Sequence, residues 1–202
     1  MHIEFLVEEP SAKEALQNLL PKILCEDITF NIHSFWGKDD LFKKLPNRLK
    51  GYKSWLPDDD RIIVLVDQDS ENCITLKEKL EQIAIDAGFV TKTSTNTSQF
   101  QVLTRIAIEE LEAWFFGDIE ALVKAYPGVS LNLGSKAAYR DPDAILGGTW
   151  EALERELKKA GHHQGGLEKL KLAREVSIYM TPAKNRSQSF QVFYTGLLKM
   201  IE

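Results

Sequence analysis

Five aliphatic residues in a row, Ile62 to Val66, sit inside Arg61-Ile-Ile-Val-Leu-Val-Asp-Gln-Asp-Ser70. An apolar run with no polar break suits a strand buried on both faces of a parallel sheet. The run stops on two carboxylates, Asp67 and Asp69. If the backbone stays extended through Gln68, both side chains project to one side at the C-terminal edge of the sheet. Ligands bind at that edge in open α/β sheets. One Asp is enough to cap the next helix. Two like charges at one edge call for a compensating cation, which points to a metal or catalytic role.

The flanking segments supply the rest of such a sheet. His2 to Val7 reads as a first strand ending at Glu8 and Glu9. Ser11-Ala12-Lys13-Glu14 has capping-box spacing, and Ala12, Ala15, Leu16, Leu19, Leu20 and Ile23 form a helical stripe with Pro21 as a kink or restart. Ile28 to Phe35 alternates as a second strand. Leu41, Leu45, Leu49, Tyr52 and Leu56 mark a helical segment interrupted by Pro46. After the central strand, Leu76, Leu80, Ile83, Ala84 and Ala87 predict an amphipathic helix closed by Gly88. Thr91 to Ser98 reads as a loop or ragged edge, and Phe100 to Ile108 as a further strand. Crossover helices between strands imply parallel neighbours.

That last strand runs into Ile108-Glu109-Glu110-Leu111-Glu112-Ala113-Trp114-Phe115-Phe116. Acidic residues at a helix start complement its dipole, which accounts for one or two of the three carboxylates but not for the aromatic block against them. Beyond Asp118 the chain becomes helices and Gly/Pro-rich joints. Thr149 to Ala160, with Trp150, Leu153 and Leu157, predicts one helix. Leu167 to Met180 predicts another, and a last one carries Phe190, Phe193, Leu197 and Ile201. His162 and His163 lie in a glycine-flanked turn and read as surface loop, with a substrate contact as the alternative. The expected organisation is an α/β core over residues 1–117 with a mainly parallel sheet, and a helical C-terminal subdomain over 118–202 packed on it.

Charge narrows the partners. The chain has 25 Lys and Arg against 30 Asp and Glu, a formal charge of −5, so bulk electrostatics do not favour DNA and any nucleic-acid contact must be local. Lys38, Lys43, Lys44, Arg48, Lys50 and Lys53 gather on one helical segment, as a phosphate-facing surface or a solvated face. Lys184 and Arg186 precede the last helix beside Ser187 and Ser189, where they can grip phosphate or where a serine is simply the N-cap. Cys25 and Cys73 have no zinc-ligand spacing and read as reduced, partly buried thiols. No basic n-region or long apolar stretch appears, so neither a signal peptide nor a membrane span is expected, and the location expected is cytoplasmic.

Glu8 closing Leu-Val-Glu-Glu-Pro-Ser and Asp-Gln-Asp closing a buried strand are similar to the Toprim pattern of primases, topoisomerases and related nucleases. More closely, five stretches look like the bacterial domain-of-unknown-function 4276 family: Phe-Leu-Val-Glu-Glu-Pro-Ser, Val-Leu-Val-Asp-Gln-Asp, Ile-Glu-Glu-Leu-Glu-Ala-Trp-Phe, Gly-Gly-Thr-Trp-Glu-Ala-Leu-Glu and Asn-Arg-Ser-Gln-Ser-Phe. The Toprim resemblance implies a Rossmann-like three-layer core, Glu8 as general acid or base, and Asp67 with Asp69 as ligands for Mg²⁺ or Mn²⁺. Glu110 and Glu112 before Trp114 match the acidic pair of Toprim-like nucleases of phage defence, often encoded beside an ATPase partner. Toprim enzymes usually carry glycine after the glutamate, where this chain has Glu9.

Hydrolysis of a phosphodiester needs neutralised non-bridging oxygens, an activated water and a protonated leaving oxygen, and carboxylate-held divalent ions supply the first two. Glu8, Asp67, Asp69, Glu110 and Glu112 are therefore the expected catalytic set, with Glu8, Asp67, Asp69 and Glu112 as metal ligands. Lys43, Lys44, Lys184 and Arg186 are candidates for placing a DNA or RNA backbone. A catalytically silent adaptor docking an ATPase, and a phosphotransferase or phosphatase on small substrates, are the competing readings. A Walker loop and a nucleophile elbow are absent from the sequence, which sets ATPase and triad-hydrolase readings behind these.

Overall fold

The computed structural model describes residues 1–95 and 99–202. Four strands form one all-parallel sheet in the order β2-β1-β3-β4: β1 His2–Val7, β2 Thr29–Ser34, β3 Arg61–Asp67 and β4 Val102–Ala107. The chain steps from β1 outward to β2, then crosses back to β3 on the other side of β1 and continues to β4. The strand order thus reverses between β1 and β3, which makes their carboxyl ends the topological switch point of a Rossmann-like sheet.

Alternating strand residues divide the molecule into three layers. Ile3, Phe5, Val7, Ile63, Leu65, Leu103 and Ala107 face one side, and Leu6, Ile62, Val64, Val66, Val102 and Ile106 the other. The second face is covered by α2 (Lys38–Trp55) and α3 (Cys73–Asp86). The first is covered by α1 (Pro10–Leu19) together with α4 (Glu112–Phe116), α5 (Ile119–Ala125), α6 (Thr149–Lys159), α7 (Lys169–Tyr179) and α8 (Gln188–Ile201), in one continuous apolar cluster. The C-terminal half therefore shares its core with the sheet. Among the described residues no helix is long and apolar enough to cross a membrane.

Several local expectations changed. Helix α2 runs unbroken through Pro46. An interior proline costs about 3 kcal/mol, but Leu41, Leu45, Leu49 and Tyr52 bury one face on both sides of it, and packing of that stripe holds the helix together. Helix α1 starts at Pro10 with Glu9 as N-cap, two residues before the cap of the expected box, while Pro21 lies in a short 3₁₀ turn over Leu20–Lys22. Gly88, at φ 87°, ends α3 as expected. In the expected Thr91–Ser98 loop, Thr91 bridges Val102, and residues 96–98 lie outside the described residues. Cys25 is an exposed free thiol and Cys73 a half-buried one. His162 and His163 lie against Tyr126, His163 at 3.0 Å from its hydroxyl.

Two of the conspicuous motifs lock α4 in place. Asp143 accepts from the Ser187 hydroxyl at 2.8 Å and from the backbone and hydroxyl of Ser189, both at 2.9 Å. The Trp114 indole N–H donates to the Ser189 hydroxyl at 3.0 Å, and the Asn185 amide donates to the Trp114 carbonyl at 2.7 Å. A Cβ at position 117 would fall 2.0 Å from Asn185 Oδ1, so only glycine lets this turn approach α4. Trp114, Phe115 and Phe116 are wholly buried, and Glu112 on the same short helix is fixed with them.

Candidate functional site

Glu8 and Asp67 meet at the switch point because β1 and β3 are adjacent and end together. The Glu8 backbone N–H donates to the Leu65 carbonyl at 3.1 Å, and Glu8 Oε2 accepts the Asp67 N–H at 3.0 Å. Glu8 is buried, and burial pushes its carboxyl up to about 7; the Asp67 N–H and Lys38 pull the other way, and Asp69 and Glu9 add to the rise. Asp67 is held well above the usual carboxylate range, by burial first and then by the charges of Glu112, Glu8, Glu9 and Asp69. Glu112 is 1% exposed, and its Oε2 has no hydrogen-bond partner. Its carboxyl is raised to about 7 by burial, with Lys169 opposing and Glu110 reinforcing the shift.

The other two carboxylates have different occupations. The extended backbone does not persist past Asp67: Asp69 takes φ 51°, its N–H bonded to the Glu109 carbonyl at 2.8 Å. Its side chain is exposed and pairs with Lys38 Nζ at 2.8 Å. Glu110 accepts from the Thr149 hydroxyl at 2.8 Å and the Trp150 N–H at 3.0 Å, acting as a cap for α6. Glu109 is half-buried at φ 60°.

Two lysines border this acidic edge. Lys38 bonds the Gln68 carbonyl at 3.1 Å, Asp69 and Glu71; burial lowers its pKa, but these partners outweigh it and the net shift is upward. Lys169, at the start of α7, stands 3.7 Å from Glu110 and 3.8 Å from Glu112, and their charges likewise overcome its burial. The sequence placed Lys38 on a basic face without its acidic partners. It carried no signal for Lys169, which arrives by a contact across 57 residues from Glu112.

Lys43 and Lys44 are exposed on α2, Lys44 paired with Asp40 at 2.6 Å. Lys184 is exposed in a 3₁₀ turn, Pro182–Lys184. The Arg186 guanidinium donates to the Arg140 carbonyl at 2.6 Å and the Gly134 carbonyl at 3.3 Å, tying loops together.

Among the described residues no three His, Cys, Asp or Glu side chains are gathered as ready-made ligands for an ion. Mg²⁺ does not require such a cage: it keeps several waters and binds through one or two carboxylates and substrate phosphate. The chemistry of Glu8, Asp67 and Glu112 suits that mode, because all three are oxygen donors poorly solvated as anions, and Glu112 Oε2 is buried without a donor.

The family model described as a domain of unknown function, DUF4276, matches residues 7–198, and the chain belongs to that family. No curated protein and no solved structure matches it.

Proposed function

We propose that this member of the DUF4276 family is a divalent-metal-dependent nuclease that hydrolyses phosphodiester bonds at the carboxyl edge of β1 and β3. The observation that carries the reading is the contact of Glu8 with Asp67 at the switch point, with the charge of Glu112 acting on Asp67 and one Glu112 oxygen buried without a donor. Such an arrangement is unfavourable for an isolated fold, since buried anions need compensation. It becomes favourable once Mg²⁺ or Mn²⁺ is held by Asp67 with Glu8 or Glu112.

An ion bound there supplies charge neutralisation at a non-bridging phosphate oxygen and acidifies a water. Glu8 holds its Oε2 on the Asp67 N–H, leaving Oε1 to exchange a proton with the water or the leaving oxygen. A carboxyl near 7 is matched to that task at neutral pH. Lys38 keeps Asp69 at the rim, and Lys169 offsets part of the charge of Glu112. Lys43, Lys44, Lys184 and Arg186 remain candidates for backbone contacts. A setting in bacterial defence or DNA metabolism, with an ATPase partner, rests on the Toprim resemblance.

The test is calorimetric titration of Mn²⁺ into the protein, followed by cleavage assays on DNA and RNA. Saturable binding lost in Asp67→Asn, with cleavage lost in parallel, is the expected result. No saturable binding to the intact protein, with or without oligonucleotide, overturns the reading in favour of an adaptor without turnover.

A further inference from the structure

Trp36 is 85% exposed, although an indole is among the side chains that gain most from burial. Its position is fixed by the backbone. The Phe35 N–H donates to the Val7 carbonyl at 3.0 Å and the Gly37 N–H to the Glu8 carbonyl at 3.1 Å, so Trp36 is clamped beside the end of β1. Its own N–H donates to Asp40 at 3.2 Å. The ring therefore stands in solvent one residue from a direct bond to Glu8 and two residues from Lys38, which spans to Asp69. Leu146, 92% exposed, lies three residues before Thr149, whose hydroxyl holds Glu110.

We infer that Trp36 is a stacking platform for an unpaired base, and that the nuclease acts on single-stranded nucleic acid or frayed ends. This deepens the nuclease reading and rests on it. Electrostatics decide between strand types. A duplex is gripped mainly through its phosphates by free Lys and Arg, whereas here the chain carries −5 overall. Three of the cations near this edge are already engaged: Lys38 with Asp69 and Glu71, Lys44 with Asp40, and Lys169 with Glu110 and Glu112, which leaves Lys43 exposed on α2. Much of the grip must then come from another source. Base–aromatic stacking supplies it without sequence preference, and it requires a base out of its pair.

The test is fluorescence anisotropy of a labelled oligonucleotide, single-stranded and as a blunt duplex, with the full chain in Ca²⁺ so that binding is read apart from turnover. Tighter single-strand binding is expected, weakened about tenfold in Trp36→Ala and largely restored in Trp36→Phe. The exposed position should leave the melting temperature unchanged. Equal effects on duplex and single strand, no effect on either, or no binding by the intact protein would each overturn the inference. So would a change in self-association in place of oligonucleotide binding. Cleavage by the intact protein with no Trp36 dependence sinks the stacking role alone; Trp36-dependent binding without cleavage sinks the nuclease reading alone.

Discussion

Glu4 on β1 and Glu8 just past its end lie four residues apart, both nearly buried, and they are treated in opposite ways. Glu4 accepts from the Tyr52 hydroxyl at 2.9 Å, His33 at 2.6 Å, His2 at 3.2 Å and the Asn31 amide at 3.3 Å. Burial pushes its pKa up, but the Tyr52, Asn31 and His33 hydrogen bonds outweigh it and the carboxyl ends below its usual value. Glu81 follows the same pattern with Lys77, Thr104 and Thr93. Glu8 has one backbone donor, and Glu112 keeps an oxygen with none. A buried carboxylate with its donors supplied holds a fold together, whereas one left short of donors at a sheet edge awaits something from outside.

The largest expected effect separates the two kinds through activity. Glu8→Gln should lower cleavage by about 10² to 10⁴-fold, the usual range for removing a general acid or base, while melting no lower than the parent. Glu4→Ala should do the reverse: cleavage per folded molecule is kept, and stability falls by about 2–4 kcal/mol because Tyr52 and His33 lose a buried acceptor. Paired activity and urea-melting measurements check both. A Glu8→Gln protein that is active but unstable would break the comparison.

The next effect is in pH. Glu8 and Glu112 titrate at about 7 in the folded chain against an ordinary 4.5, so between those values the folded state binds more protons than the unfolded one. Stability without metal should therefore fall as pH rises from about 4.5 to about 7, by roughly 2 kcal/mol or more in total. Glu4 and Glu81 act with the other sign: their stabilisation is present above 4.5 and lost as pH falls below it. Urea melts from pH 4 to 8 with chelator present should show a maximum near 5. Saturating Mn²⁺ should remove the fall on the alkaline side, and Glu8→Gln combined with Glu112→Gln should reduce it without metal, the raised Asp67 keeping the remainder. A metal-free profile that rises steadily to pH 8 would show that these carboxylates are satisfied after all.

Much of this frame is legible in the sequence, because the information is local. The Ile62–Val66 run, the stripes of α1 and α3 and the Gly88 stop each lie within one element, and each forms as its pattern predicts. The site divides on the same line. Strand ends deliver Glu8 and Asp67 to one edge, and chain order alone implies that neighbourhood. The fate of Asp69 depends on a single positive φ, with its N–H held by the Glu109 carbonyl in the turn after β4, and that of Glu110 on a helix start 39 residues away. Glu4 passes for an alternating polar residue until α2 covers it with Tyr52. Lys169, Trp36 and the carbonyls held by Arg186 depend on tertiary placement, for which no spacing in the sequence is a guide.

Lys169 provides the finest test of the contrast, because it is the nearest thing to a supplied partner that Glu112 has. It stands 3.8 Å from Glu112 and is one-third exposed, so its attraction is screened and a modest effect follows. Lys169→Met should cost about 0.5–1 kcal/mol at pH 8, measured by urea melting without metal. At pH 5 the loss should shrink, because Glu112 is then protonated and has little charge to offset. The same substitution should move the alkaline fall in stability to higher pH. An equal loss at pH 5 and 8 would mean that Lys169 acts through Glu110, 3.7 Å away, or through its packing over Trp150, 5.8 Å from the ring centre. In that case Glu112 has no effective counter-charge within the chain, and its dependence on an external cation is the sharper for it.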